Sequence, residues 1–226
     1  VARPALGPRL LAEFIGTFFL VFTVCTATNP KHGAGALAPL AIGAVLMVMV
    51  FAGGHISGGH FNPAVSTAVL TRGKLAVTEW SSYVAVQLAA AAVGGLLARG
   101  VNGPGHAAVL GSTWKILVVE FVFTFALAYV VLNVATAKAT EGNSYFGLAI
   151  GFTVAAGAFA VGGISGGAFN PAVALGTSVL GIFSWGHYWI YVVANLLGGA
   201  AAALAFLYLQ PAERAPARTE EMTRAG

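Results

Sequence analysis

Charge is scarce in this chain. Only 8% of its 226 residues are Asp, Glu, Lys or Arg, against 58% hydrophobic ones. That balance excludes a soluble domain and points to a polytopic membrane protein. Cysteine occurs once, at Cys25, so no intrachain disulfide can form. Its apolar neighbours suit a small buried hydrophobe better than a reactive thiol. The formal charge of +4 does not indicate a nucleic-acid partner, because the cations sit at the termini and in short loops, where membrane proteins keep them. The apolar stretches hold no nucleophile–base pair and no metal cluster, so neither catalysis nor a cofactor or metal is expected. The first 28 residues mimic a signal peptide, but Glu13 interrupts the apolar run and the segment recurs internally at 119–132. It reads as a membrane span retained in the working protein.

What is present is one phrase, written twice. Residues 56–65 and 164–173 both read Ile-Ser-Gly-Gly-x-Phe-Asn-Pro-Ala-Val, with His60 in the first copy and Ala168 in the second. Asn is a favoured N-cap and Pro is favoured at the first helical position. Asn62-Pro63-Ala64 and Asn170-Pro171-Ala172 therefore predict two helices that begin inside the membrane. The duplication extends further: Glu13 answers Glu120 at an offset of 107, and Ala41-Ile42-Gly43 and Tyr83-Val84 have counterparts 108 residues later. A near-constant offset marks a duplicated unit, with repeat 1 at about 8–100 and repeat 2 at about 113–209.

Each unit reads as three spans and a short piece. The spans fall near 10–28, 37–54, 80–98, 115–135, 146–162 and 187–209, each close to the ~20 residues that cross a bilayer. The pieces after Asn62 and Asn170 run to about Thr71 and Leu180, roughly 14 Å at 1.5 Å per residue, which makes them half-helices. Three spans is an odd number, so the second unit must be inverted. The expected fold is an all-α membrane protein of six transmembrane helices plus two half-helices in an inverted 3+3 repeat. Placing both termini in the cytoplasm puts Arg3, Arg9, Arg72, Lys74, Lys138, Arg214, Arg218 and Arg224 inside, and only Lys31, Arg99 and Lys115 outside. The tail 210–226, rich in Pro, Ala and mixed charge, reads as disordered. His187 reads as interfacial beside Trp185, Tyr188 and Trp189, and the glycine pairs as helix-packing features.

Two Asn-Pro-Ala boxes at this spacing, with a Glu early in spans one and four, closely resemble the aquaporin, or major intrinsic protein, family. The stretch 54–65 looks especially like the bacterial water channels. The resemblance covers about residues 8–209. It implies a narrow pore with the boxes at its centre, a homotetramer with one pore per subunit, and residence in a plasma membrane, here a bacterial inner membrane. It also implies that water and small neutral solutes are the partners besides the bilayer. If each Asn oxygen caps its own helix, the amide N–H groups are left for the lumen, where they and the half-helix dipoles oppose an unbroken proton chain.

The resemblance further implies that Glu13 and Glu120 brace the re-entrant loops; taken alone, each could snorkel to an interface, although intramembrane carboxylates are more often paired and functional. His55 and His60, five apart, suggest pore lining or loop bracing rather than a metal site, since the second copy has Gly163 and Ala168 instead. The constriction positions carry over to Ile42, Ala158, Gly167 and Val173. Water-selective relatives place an Arg where Val173 stands, so an aliphatic, open and uncharged ring is expected. The function implied is a passive channel for water and small uncharged solutes such as glycerol, urea, ammonia or hydrogen peroxide, excluding protons and ions. The other readings are an ion- or proton-coupled transporter and a structural membrane protein with a closed pore.

Overall fold

The computed structural model describes residues 4–214. Six helices are long and apolar enough to cross a membrane: α1 (Leu6–Ala27), α2 (Ala38–Ser57), α4 (Val77–Asn102), α5 (Thr113–Thr136), α6 (Phe146–Ser165) and α8 (Tyr188–Leu209). Two short helices follow the boxes, α3 (Pro63–Thr71) and α7 (Pro171–Leu180). No strand occurs among the described residues. The fold is thus the six spans and two half-helices that the sequence implies.

Local chemistry explains where the half-helices begin. Asn62 and Asn170 are extended N-caps, and each side-chain oxygen accepts the N–H of the Ala two residues on, at 2.8 Å. Pro63 and Pro171 occupy the first turn, where no partner for an N–H is needed. Ahead of them, α2 and α6 end on Gly58 and Gly166 in the left-handed region, at φ 95° and 86°. Those helices end at Ser57 and Ser165, three residues past the ends expected from the sequence, 54 and 162.

Each half-helix packs against the other repeat. α3 lies on α8 and α5, while α7 lies on α4 and α1. Glycine makes this approach possible: a Cβ on Gly95 would run into the backbone of Gly176, and one on Gly199 into that of Ala64. The two repeats therefore share a single core, with α2 and α6 also meeting at Gly43 and Gly151.

Two cations, one assigned to the N-terminus and one to a loop, are in fact inside the protein. Arg9 is 3% exposed within α1; it donates to Glu79 at 2.6 Å and to the Tyr83 hydroxyl at 2.9 Å. Arg72, capping α3, is 2% exposed and donates to Glu213 at 2.7 Å and to the Thr136 carbonyl at 2.8 Å. The expected disorder of the tail needs correcting at its start. Pro211–Glu213 forms a 3-10 turn because Glu213 also accepts the Lys138 N–H at 2.6 Å. Lys138 first, and then Arg72, hold the Glu213 carboxylate below the usual carboxylate range. Arg3, Arg218, Arg224 and the tail from 215 onward lie outside the described residues.

Candidate functional site

The boxes meet at the centre of the molecule. The Asn62 amide donates to the Phe169 carbonyl at 2.9 Å, and the Asn170 amide donates to the Phe61 carbonyl, also at 2.9 Å. This modifies the expectation that both amide N–H groups stay free. One N–H of each is committed across the repeat boundary; an NH2 group has a second, and both side chains line the central lumen. The reciprocal bonds place the half-helices N-terminus to N-terminus, so both dipoles direct partial positive charge at this point.

Phe61 and Phe169 offer those carbonyls because their backbone is held at φ 47°, a region that bulky residues avoid. Such strain costs on the order of 1–3 kcal/mol and persists only where the surroundings enforce it. Glu13 and Glu120 supply the enforcement. Glu13 accepts from Ser57 Oγ (2.7 Å), His60 N (2.9 Å), Phe61 N (2.7 Å) and Gln87 Nε2 (2.8 Å). Glu120 accepts from Ser165 Oγ (2.6 Å), Ala168 N (3.0 Å) and Phe169 N (2.7 Å). With its amide oriented to satisfy the network, Asn195 donates to Glu120 at 3.2 Å and accepts the Asn170 N–H at 2.6 Å. Both carboxylates are fully buried, so neither snorkels.

Around the carboxylates lie partners that motif reading passed over. Ser57 and Ser165 also accept the N–H of Gly59 and Gly167, both at 3.1 Å. The Tyr83 and Tyr191 hydroxyls donate to the Ser57 and Ser165 carbonyls at 2.7 and 2.6 Å. Gln87 and Asn195 stand at the same 108-residue offset as the boxes, the signal by which they could have been found.

Three cavities lie in sequence along the axis. A vestibule of about 580 Å³, on the side expected to be outer, reaches Asn29, His106, Ala158 and Phe183, and one of about 570 Å³, on the side expected to be inner, reaches His55, Lys74, Lys138 and Glu141. Between them, the central lumen leaves only about 20 Å³ for the centre of a water-sized sphere, little more than the ~10–15 Å³ that one water needs. Its walls are mostly aliphatic, including Leu20, Leu46, Leu127 and Val154, and His60 is the one titratable side chain on them. The ring expected to be open is not open in this sense. Ile42, Gly167 and Val173 line the lumen, with Ile42 and Val173 only 8% and 3% exposed, whereas Ala158 faces the outer vestibule alone.

The two histidines are parted. His60 is buried, with Nδ1 at 3.0 Å from Ser66 Oγ and its ring edge-on to Tyr83, while His55 is exposed in the inner vestibule. The sixteen lumen residues fall into eight pairs offset by 107 or 108, so the lining itself obeys the repeat symmetry.

Six spanning helices, crossed at mid-depth by two facing half-helices and a water-sized lumen, define an integral membrane protein of inverted-repeat type with a central pore. Residues 4–206 match the Major intrinsic protein family, and the chain belongs to it. Aquaporin NIP1-3 of Oryza sativa subsp. japonica is 35% identical over 225 residues, spanning 95% of this chain and 78% of that protein. Aquaporin NIP3-1 of Arabidopsis thaliana is 32% identical over 226 residues, 91% of this chain and 68% of that one. The X-ray structure of the aquaglyceroporin from Plasmodium falciparum superposes with a TM-score of 0.75 over 88% of this chain and 95% of its own, and at 22% identity that likeness speaks to the fold. Membership makes the chain a channel for water and small solutes, not an enzyme. The relatives at hand in sequence are plant proteins, so the expected bacterial membrane gains no support from them.

Proposed function

We propose that the protein is a passive pore for water and small uncharged solutes that excludes protons and ions, with the permeation path running between Asn62 and Asn170. The observation that carries this reading is the water-sized lumen bounded by two larger vestibules, with both box amides on its wall. A water at that point accepts from the remaining amide N–H groups with both lone pairs, so it cannot also accept a proton from a neighbouring water and the file is broken there; the half-helix dipoles add a barrier to cations. Glu13 and Glu120 act as braces, and Ile42, Ala158, Gly167 and Val173 as the outer constriction. Both termini face the cytoplasm, on the side richer in Lys and Arg. A homotetramer with one pore per subunit is the assembly proposed.

Stopped-flow light scattering of proteoliposomes tests the reading. Osmotic water flux well above that of empty vesicles, with no dissipation of an imposed pH gradient, supports it. A swelling rate equal to that of empty vesicles favours the closed-pore reading, and water flux accompanied by proton flux favours the coupled transporter.

A further inference from the structure

Val24, Ile42 and Val173 line both the central lumen and the outer vestibule, so they form the lumen's outer shoulder. The repeat offset carries these three onto Val131, Ile150 and Val65, which line the lumen and neither vestibule. Because the second repeat is inverted, the counterparts of an outer shoulder lie at the inner end. All six are aliphatic and none is more than 8% exposed. With Val at both 65 and 173, the two ends are closed by the same kinds of side chain.

We infer that the pore carries two matched aliphatic constrictions in series, and that the inner one, at Val65, Val131 and Ile150, determines solute choice as strongly as the outer ring. The inference rests on the channel reading and deepens it. A solute must shed its water partners at each shoulder and recovers donors between them, from Asn62 and Asn170, with His60 as the other polar side chain on the lumen wall. The penalty grows with every hydroxyl or amide stripped of its partner. The favoured class is therefore neutral, water-sized and sparing in hydrogen-bonding groups, as ammonia and hydrogen peroxide are. Urea and glycerol are refused at both ends.

Urea uptake into proteoliposomes, normalised to folded protein, separates one filter from two. Two equal barriers in series pass at most about twice the flux when one is removed. Ile42→Ala/Val173→Ala and Val65→Ala/Ile150→Ala should each raise urea flux by no more than that. The four substitutions together should raise it at least ~10-fold, equivalent to about 1.4 kcal/mol of barrier. Val65→Ala/Val173→Ala, compared with its two single variants, repeats the test with less cavity created, should the fourfold variant not fold. The inference is overturned if either end alone reaches the flux of both together, or if the parent already passes urea as fast as the opened pore. A parent that conducts no water overturns the channel reading instead.

Discussion

Replacing Glu120 separates a brace from a proton carrier. In the structure its carboxylate receives four donors: Ser165 Oγ, the N–H groups of Ala168 and Phe169, and the Asn195 amide. Glu120→Leu removes both acceptor oxygens, and a buried donor left without a partner costs ~1–3 kcal/mol. Four such donors amount to roughly 4–12 kcal/mol before relaxation, of the same order as the ~5–15 kcal/mol that holds a typical domain together. The strained Phe169 backbone also loses its restraint. Glu120→Gln keeps one oxygen, which can serve two donors, and the Ser165 hydroxyl can turn to accept from the new amide. Only the Ala168 N–H is then stranded, at ~1–3 kcal/mol. Thermal unfolding in detergent, read with water permeability at matched folded protein, should rank parent above Gln and Gln well above Leu. Equal stability of the Leu and Gln variants would mean that Glu120 does not brace the loop. A transport rate that varies with pH in the parent, and loses that variation in Glu120→Gln, would point to a proton carrier.

Other perturbations address the pore mouth and the inner face. Val173→Arg places a long cation with several donors at the outer shoulder, so hydrogen peroxide flux should fall more than water flux, and any cation leak should shrink; an unchanged peroxide-to-water ratio would place residue 173 off the path. Glu213, whose carboxylate titrates below its ordinary value, contributes stability that is fully present above the unfolded value of ~4.3 and is lost as pH falls through the lowered folded value. Melting temperature should therefore drop on acidification below about pH 4, and Glu213→Gln should flatten that drop; an identical acid profile in the two proteins would detach Glu213 from Arg72.

The spans were legible because hydropathy and the repeat offset reinforce each other, and the half-helix starts because Asn-Pro carries its own capping chemistry. Helix ends were less legible. The second span reads as ending near 54, yet α2 continues to Ser57, with the Phe61 ring closing over Gly53 inside it. Arg9 shows a second limit: it reads as a terminal cation, but its acceptors, Glu79 and Tyr83, come from α4, some seventy residues away. A third concerns the boxes. The N-cap role of Asn62 follows from its neighbours, whereas its bond to the Phe169 carbonyl depends on two segments meeting. The ring positions reveal side-chain type but not room. Aliphatic residues in place of Arg suggest an open filter, while the buried walls around Leu20 and Leu127 leave space for little more than one water. The proposed inner shoulder follows from the repeat offset only once the structure shows which residues line the lumen, because nothing in the sequence marks the residues that face the axis.

Osmotic water permeability of the Asn62→Leu/Asn170→Leu protein, reconstituted at the parent's density and checked for a cooperative melt, tests the proposed path most directly. Each substitution removes a lumen donor, a cross-repeat bond and an N-cap worth ~1 kcal/mol. The variant should be less stable than the parent, and its folded fraction should conduct water no faster than empty vesicles. Full parental permeability in the folded variant would mean that water does not pass between the two boxes.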